Sequence, residues 1–204
     1  MLLGDVELRV FGCIIKRLLS GKSLMKFKKL LIGLASLTVL GSGLFAKVES
    51  TIAQPAPVFR PLLDDIRRQL PKGLKMRLPS SMPASAIQLY PFIQSDDKVF
   101  RINIGIKPDC SASANSLSCT VGVLAVFAPA NSKNWPPQSK EISPVNLSGG
   151  IRGYYLAKDG GRTIYWEQEG LRYAVAVMAS AVSQQQLLDV VNSMVSQPAI
   201  ASIK

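Results

Sequence analysis

Residues 150–179 read GIRGYYLAKDGGRTIYWEQEGLRYAVAVMA, and this stretch decides the fold. Three runs, Gly150 to Ala157, Arg162 to Gln168 and Leu171 to Ala179, are rich in the β-branched and aromatic residues that suit a pleated surface. They are separated by Asp159-Gly160-Gly161 and by Glu169-Gly170. Glycine accepts the positive φ that a tight hairpin turn demands, so both breaks read as hairpins. Strands joined so tightly must run antiparallel, because parallel neighbours need a crossover of a dozen or more residues.

Working upstream, Lys98 to Lys107 alternates: Phe100, Ile102, Ile104 and Ile106 fall on one face, Arg101, Asn103 and Lys107 on the other. Ser118 to Phe127 is apolar on both faces and reads as a central strand. Asp109 to Leu117, rich in Ser, Ala and Asn, reads as the loop between them. Ile87 to Ile93 is broken by Pro91, which marks an edge or a bulge. Leu74 to Leu78 is a short strand, and residues 129–141, with Trp135-Pro136-Pro137, form the longest irregular stretch.

Two helices frame the strands. Apolar residues at Phe59, Leu62, Leu63, Ile66 and Leu70 have helical spacing. Pro61 suits the first turn, Asp64 and Asp65 the positive end of the dipole, Arg67 and Arg68 the negative end. Ser183-Gln184-Gln185-Gln186 is a capping box opening a second helix, whose apolar face is Leu187, Leu188, Val191, Met194 and Val195. The expected fold is α+β: a curved antiparallel sheet of about seven or eight strands with an N-terminal and a C-terminal helix packed on it.

The N-terminal residues read as an address. Met25-Lys26-Phe27-Lys28-Lys29 precedes an uncharged apolar run from Leu30 to Phe45, followed by small residues at Ala46 and Ala53. These are the parts of a secretory signal peptide, and the run is short of the ~20 residues of a membrane span. The expectation is a signal peptide over 25–53, cut after Ala53 or Ala46, with an uncleaved anchor through residues 30–45 as the rival. Residues 1–24 fit no part of it, since Asp5 and Glu7 interrupt any basic region and Cys13 precedes the apolar run. Met25 is therefore the expected start and 1–24 a mis-called extension, which leaves 54–204 as one extracytoplasmic domain, periplasmic or secreted.

Charge and composition then exclude whole classes. The net charge of +11 divides into eight Lys/Arg against three Asp/Glu in 1–53, and sixteen against ten in 54–204. The domain's basic residues form no dense run, so no nucleic-acid partner is expected. There is no histidine. That removes the commonest acid–base group near neutral pH and any Ser-His-Asp or Cys-His nucleophile system within the chain.

The domain's two cysteines, Cys110 and Cys119, flank the loop of a predicted hairpin with eight residues between them. Export favours oxidation, and a disulfide closing such a loop contributes roughly 2–3 kcal/mol. A redox-active pair would sit two apart at a helix start.

Other constellations are weaker. Ser95-Asp96-Asp97-Lys98 matches Ser-x-x-Lys, but its Ser lies in a turn and neither companion triplet occurs. Gly21-Lys22-Ser23 has Lys16 where a phosphate loop needs its first glycine. Glu167 and Glu169, on one side of a strand about 7 Å apart, are a carboxylate pair of the separation an inverting glycosidase uses. Tyr154, Trp166 and Tyr173 on neighbouring strands are the candidate binding surface, with cross-strand packing as the alternative. No catalytic set, cofactor site or metal site is read.

One resemblance adds to this. Ile151-Arg152-Gly153-Tyr154-Tyr155, Thr163-Ile164-Tyr165-Trp166-Glu167, Gly170-Leu171-Arg172-Tyr173 and the Ser-capped terminal helix, about residues 145–196, form a pattern. It resembles a bacterial exported module of unknown function found at the C-termini of anti-sigma-factor-like proteins, akin to the lipoprotein-carrier and sigma-regulator half-barrels. The resemblance implies a non-enzymatic sensing or binding module. The expected function is thus an exported, non-catalytic module of the bacterial envelope, with an envelope lipid, peptide or protein as partner. The alternatives are an exported hydrolase using carboxylates only, such as Glu167 with Asp159 or Glu169, and a membrane-tethered structural component of the envelope.

Overall fold

The computed structural model describes residues 54–84, 87–96, 98–112, 116–129, 135–136 and 138–203. The leader, its cleavage points and residues 1–24 lie outside them. The fold is α+β, a curved, open, seven-stranded antiparallel sheet with, among the described residues, two helices of seven residues or more and one helical turn, Ser116–Cys119, where the sequence predicts the start of a strand.

The chain enters through a 3₁₀ stretch, Pro57–Leu62, that runs into helix α1, Leu63–Gln69. The predicted single helix therefore tightens over its first half, where Pro57 and Pro61 remove backbone donors. Strand β1 (Lys75–Met76) precedes β2 (Tyr90–Ser95), β3 (Val99–Gly105), β4 (Thr120–Phe127), β5 (Ile142–Asn146), β6 (Arg152–Lys158), β7 (Gly161–Gln168) and β8 (Leu171–Met178). Helix α2 spans Gln184–Ser196, and β9 (Ile200–Ala201) pairs with β1 in a separate two-stranded ribbon.

Both predicted tight turns are present. Asp159 and Gly160 have φ of 51° and 77°, Glu169 and Gly170 of 53° and 71°, the geometry whose twist matches that of flanking strands. The capping box is also complete: Ser183 Oγ accepts from Gln186 N, and Gln186 Oε1 accepts from Ser183 N.

The sheet order is β2-β3-β4-β8-β7-β6-β5. β5 was not anticipated, since Pro144 disguises it. Pro91 lies in one edge strand and Pro144 in the other, so each edge lacks a backbone donor and resists strand addition. Four antiparallel pairings separate β4 from β5, so these two strands point the same way. The absence of parallel-type crossovers expected from the hairpins thus holds for neighbours only. The connection from β4 must cross three strands to reach β5.

Register sorts the faces. Phe100, Val126, Tyr173, Trp166 and Gly153 form one cross-strand row, and Ile102, Leu124, Val175, Ile164 and Tyr155 the next. Both rows lie in the core with Phe59, Ile66, Leu187, Val191 and Met194 from the helical segments. Gly153 makes room for Leu147: a Cβ there would stand 2.9 Å from Leu147 Cδ1.

Candidate functional site

The chemistry the sequence offered is taken up by structure. Glu167 Oε2 accepts from Arg172 Nε at 3.3 Å. Glu169 lies in the β7–β8 turn, off the strand, and pairs with Arg77 and with Lys75 at 3.4 Å. The expected pairing of Glu167 with Glu169 on one strand face is thus corrected: a residue in the turn no longer follows the strand's period of two. Asp159 sits in the turn at the opposite end of β7 from Glu167, roughly 20 Å away along the strand. Asp96 accepts from the backbone N–H of Lys98 at 2.9 Å and of Val99 at 2.8 Å, which makes the Ser95 segment a turn. Burial acts to raise the Asp96 pKa, but those two bonds, with Arg101 and Lys98 nearby, outweigh it and hold the carboxyl below its usual range. Among the described residues, no three of Cys, Asp and Glu gather as a metal site.

The aromatic triad does not assemble. Trp166 and Tyr173 are fully buried and stacked, 5.1 Å between centroids and 13° between planes. Tyr154 pairs with Tyr165 and faces the other side. Counting back from the two-residue turn at Asp159-Gly160 puts Gly153 opposite Trp166, so Tyr154 falls one residue out of phase. The Tyr173 hydroxyl donates to Lys75 O at 2.9 Å, and burial pushes its pKa above the usual value despite the opposing charge of Arg77.

On Tyr154's face the crossover is pinned by Trp135. Its ring meets Phe127, Tyr165 and Tyr154 edge-on at 6.2, 6.4 and 6.5 Å, and the Arg172 guanidinium lies 4.5 Å from its centroid. Each such contact contributes about 0.5–1.5 kcal/mol. The sequence marked Trp135 only as part of an irregular stretch.

The disulfide is formed: Cys110 and Cys119 are joined with their Cα atoms 5.9 Å apart. Cys110 is 1% exposed and lies against β3 where that strand ends at Gly105. A Cβ at residue 105 would stand 2.7 Å from Cys110 Cβ, so glycine is required for this close approach.

Beside the disulfide runs an open groove of about 400 Å³. Its first wall is the 3₁₀ stretch, with Val58, Pro61 and Leu62. Its floor is the approach to β2 and its outer edge, from Gln88 to Phe92. Its third wall is the disulfide loop, through Pro108 and Ser111. The size falls within the ~300–1,000 Å³ of small-molecule sites. Among the described residues no charged side chain lines it, and three of its residues are prolines without an N–H. Ile87, next to the floor, is 57% exposed. Arg60 and Lys107, next in sequence to the lining Pro61 and Pro108, are exposed, and Arg60 Nε donates to Pro55 O at 3.3 Å. The sequence signal was present but indirect: Pro91 marked the edge, while nothing local placed Pro61 and Pro108 beside it.

No family model, no curated protein and no solved structure matches this chain.

Proposed function

We propose that residues 54–204 form an exported, non-catalytic binding module of the cell envelope. It takes the acyl chain of a single-chain anionic amphiphile, such as a long-chain fatty acid, into the groove along β2. The observation that carries this is the groove's chemistry: walls more apolar than polar, with Gln88, Tyr90 and Ser111 the polar side chains, no charged residue among the described lining and three prolines that offer a peptide backbone no donor. Burying each methylene there contributes about 0.8 kcal/mol, and the exposed cations Arg60 and Lys107, next in sequence to two lining prolines, suit a carboxylate head. Helix α2 packs on β7 and β8, while the N-terminal 3₁₀ stretch lies beside β2 and forms one wall of the groove. The signal-like leader and the resemblance to exported half-barrels support the address and the binding role. Engagement of Glu167 and Glu169 in ion pairs counts against a carboxylate-only hydrolase.

Titration with cis-parinaric acid, a fluorescent fatty acid, tests this reading. Saturable binding is expected, weakened at least about tenfold by Val58→Asp, which brings a charge into the first wall. Absence of saturable binding, or an unchanged affinity in a folded Val58→Asp protein, refutes it.

A further inference from the structure

We infer that the groove leads into a second, wholly apolar cavity beneath helix α2, and that Ile104, standing between the two, sets the length of acyl chain the protein accepts. The inference rests on the groove reading above. The cavity, of about 20 Å³, lies between the sheet and α2. Ile104, Leu124 and Val177 line it from the strands, Leu187 and Val190 from α2, and Met82 from the segment before β2. Every described residue around it is apolar. The volume is that of one water, but a water needs two to four polar partners and finds none among these residues, so the space suits a methyl group.

Register places this cavity against the groove. Pro91 of the groove floor pairs directly with Ile104 of the cavity wall. Directly opposed residues of an antiparallel pair share a face, with Cβ atoms about 4.5–5.5 Å apart. One cross-strand pair therefore separates the two spaces. Ile104 is 4% exposed, so this face is the one turned to the core. On its other flank Ile104 pairs with Gly122 of β4, which carries no side chain. A Cβ there would stand 3.4 Å from Ile104 Cδ1, so the isoleucine leans over the glycine, where only a hydrogen stands. The β3–β4 ladder also shifts register between Ile104 and Gly105, and such a shift bends a strand and re-aims its side chains. Ile104 is thus the movable part of the partition. An acyl chain running along β2 past Pro91 meets Ile104 next. A short chain stops before it, a longer one turns it aside and places its terminal methyl beneath α2, and a chain longer still finds the cavity full.

Saturated fatty acids of about 8 to about 20 carbons, each displacing cis-parinaric acid, test this together with methyl NMR spectra of the same protein. Expected is an affinity that rises about fourfold per added methylene up to one chain length and then stops rising. Long chains should shift the Ile104 and Leu187 methyl signals, and the shortest chains that bind should leave them in place. Ile104→Ala, which removes the partition, should move the plateau to longer chains. Val190→Phe, which fills the cavity from α2, should move it to shorter ones and weaken the longest chains at least about tenfold, with the shortest unaffected. Saturable binding with the plateau unmoved in either folded variant, or with unshifted Ile104 and Leu187 signals, overturns the inference and leaves the groove reading standing. The methyl signals are read on the unaltered protein, so they decide the matter where a core variant does not fold. If no chain binds saturably, the groove reading has failed, and this inference with it.

Discussion

Replacing Arg77 by Met should destabilise the protein by about 2 kcal/mol, and the structure shows why the figure is neither larger nor zero. Arg77 is 4% exposed. Its guanidinium donates to Val195 O in the last turn of α2, to Gln197 O just past it, and to Glu169 in the β7–β8 turn. It thereby ties the end of the helix to β1 and to a hairpin. Met keeps the apolar stem and removes the donors. Val195 O still accepts from Gln168 Nε2 at 3.3 Å, and Glu169, whose side chain is 47% exposed, keeps Lys75. Only Gln197 O, on a residue 4% exposed, loses its donor outright, at a cost of about 1–3 kcal/mol. Against this stands relief from burying a guanidinium whose Nε has no acceptor among the described residues. The loss of several charge-assisted bonds outweighs that relief, and the net is about 2 kcal/mol. For a domain of this size it lowers Tm by roughly 4–8 °C. Differential scanning calorimetry of the purified proteins at neutral pH measures it. Glu169→Gln should cost less than about 1 kcal/mol, because the carboxylate is half solvated. An Arg77→Met protein as stable as the parent, or more stable, would refute the reasoning. It would mean that guanidinium burial costs as much as its bonds return.

Other expectations concern charge and packing. Asp96 has a folded pKa below its unfolded value of about 3.9. Its stabilisation is therefore present above that pH and is lost as pH falls through the folded value. Asp96→Asn should flatten the acid limb of stability against pH below about 4, as urea unfolding would show. Tyr173 titrates above its usual value of about 10, so its contribution is full below that pH and declines as pH rises through the folded value. Tyr173→Phe should remove part of the alkaline loss, while costing about 1 kcal/mol at neutral pH for the bond to Lys75 O, by the same assay. Trp135→Ala should release the β4–β5 crossover and raise amide exchange at 138–141 while leaving the stacked Trp166–Tyr173 pair's near-ultraviolet signal unchanged. A change confined to the core signal would contradict the pinning role.

Whatever was encoded within a few residues was legible from the sequence. The turns at Asp159-Gly160 and Glu169-Gly170 need positive φ, and the flanking β-formers then have one local solution. The Ser183–Gln186 capping box fixes where α2 starts, and a nine-residue separation brings Cys110 and Cys119 together across one loop. The position of Trp166 opposite Gly153 was legible too, had the register been counted from the turn. Only the tertiary structure decided the rest. The passage of the β4–β5 connection over three strands, the union of Arg77 with the end of α2, and the meeting of Pro61, Pro91 and Pro108 at one groove all join residues remote in sequence. Such contacts carry no local signal. They follow from how an open sheet hides one face under its helices and from what is then left along its edge.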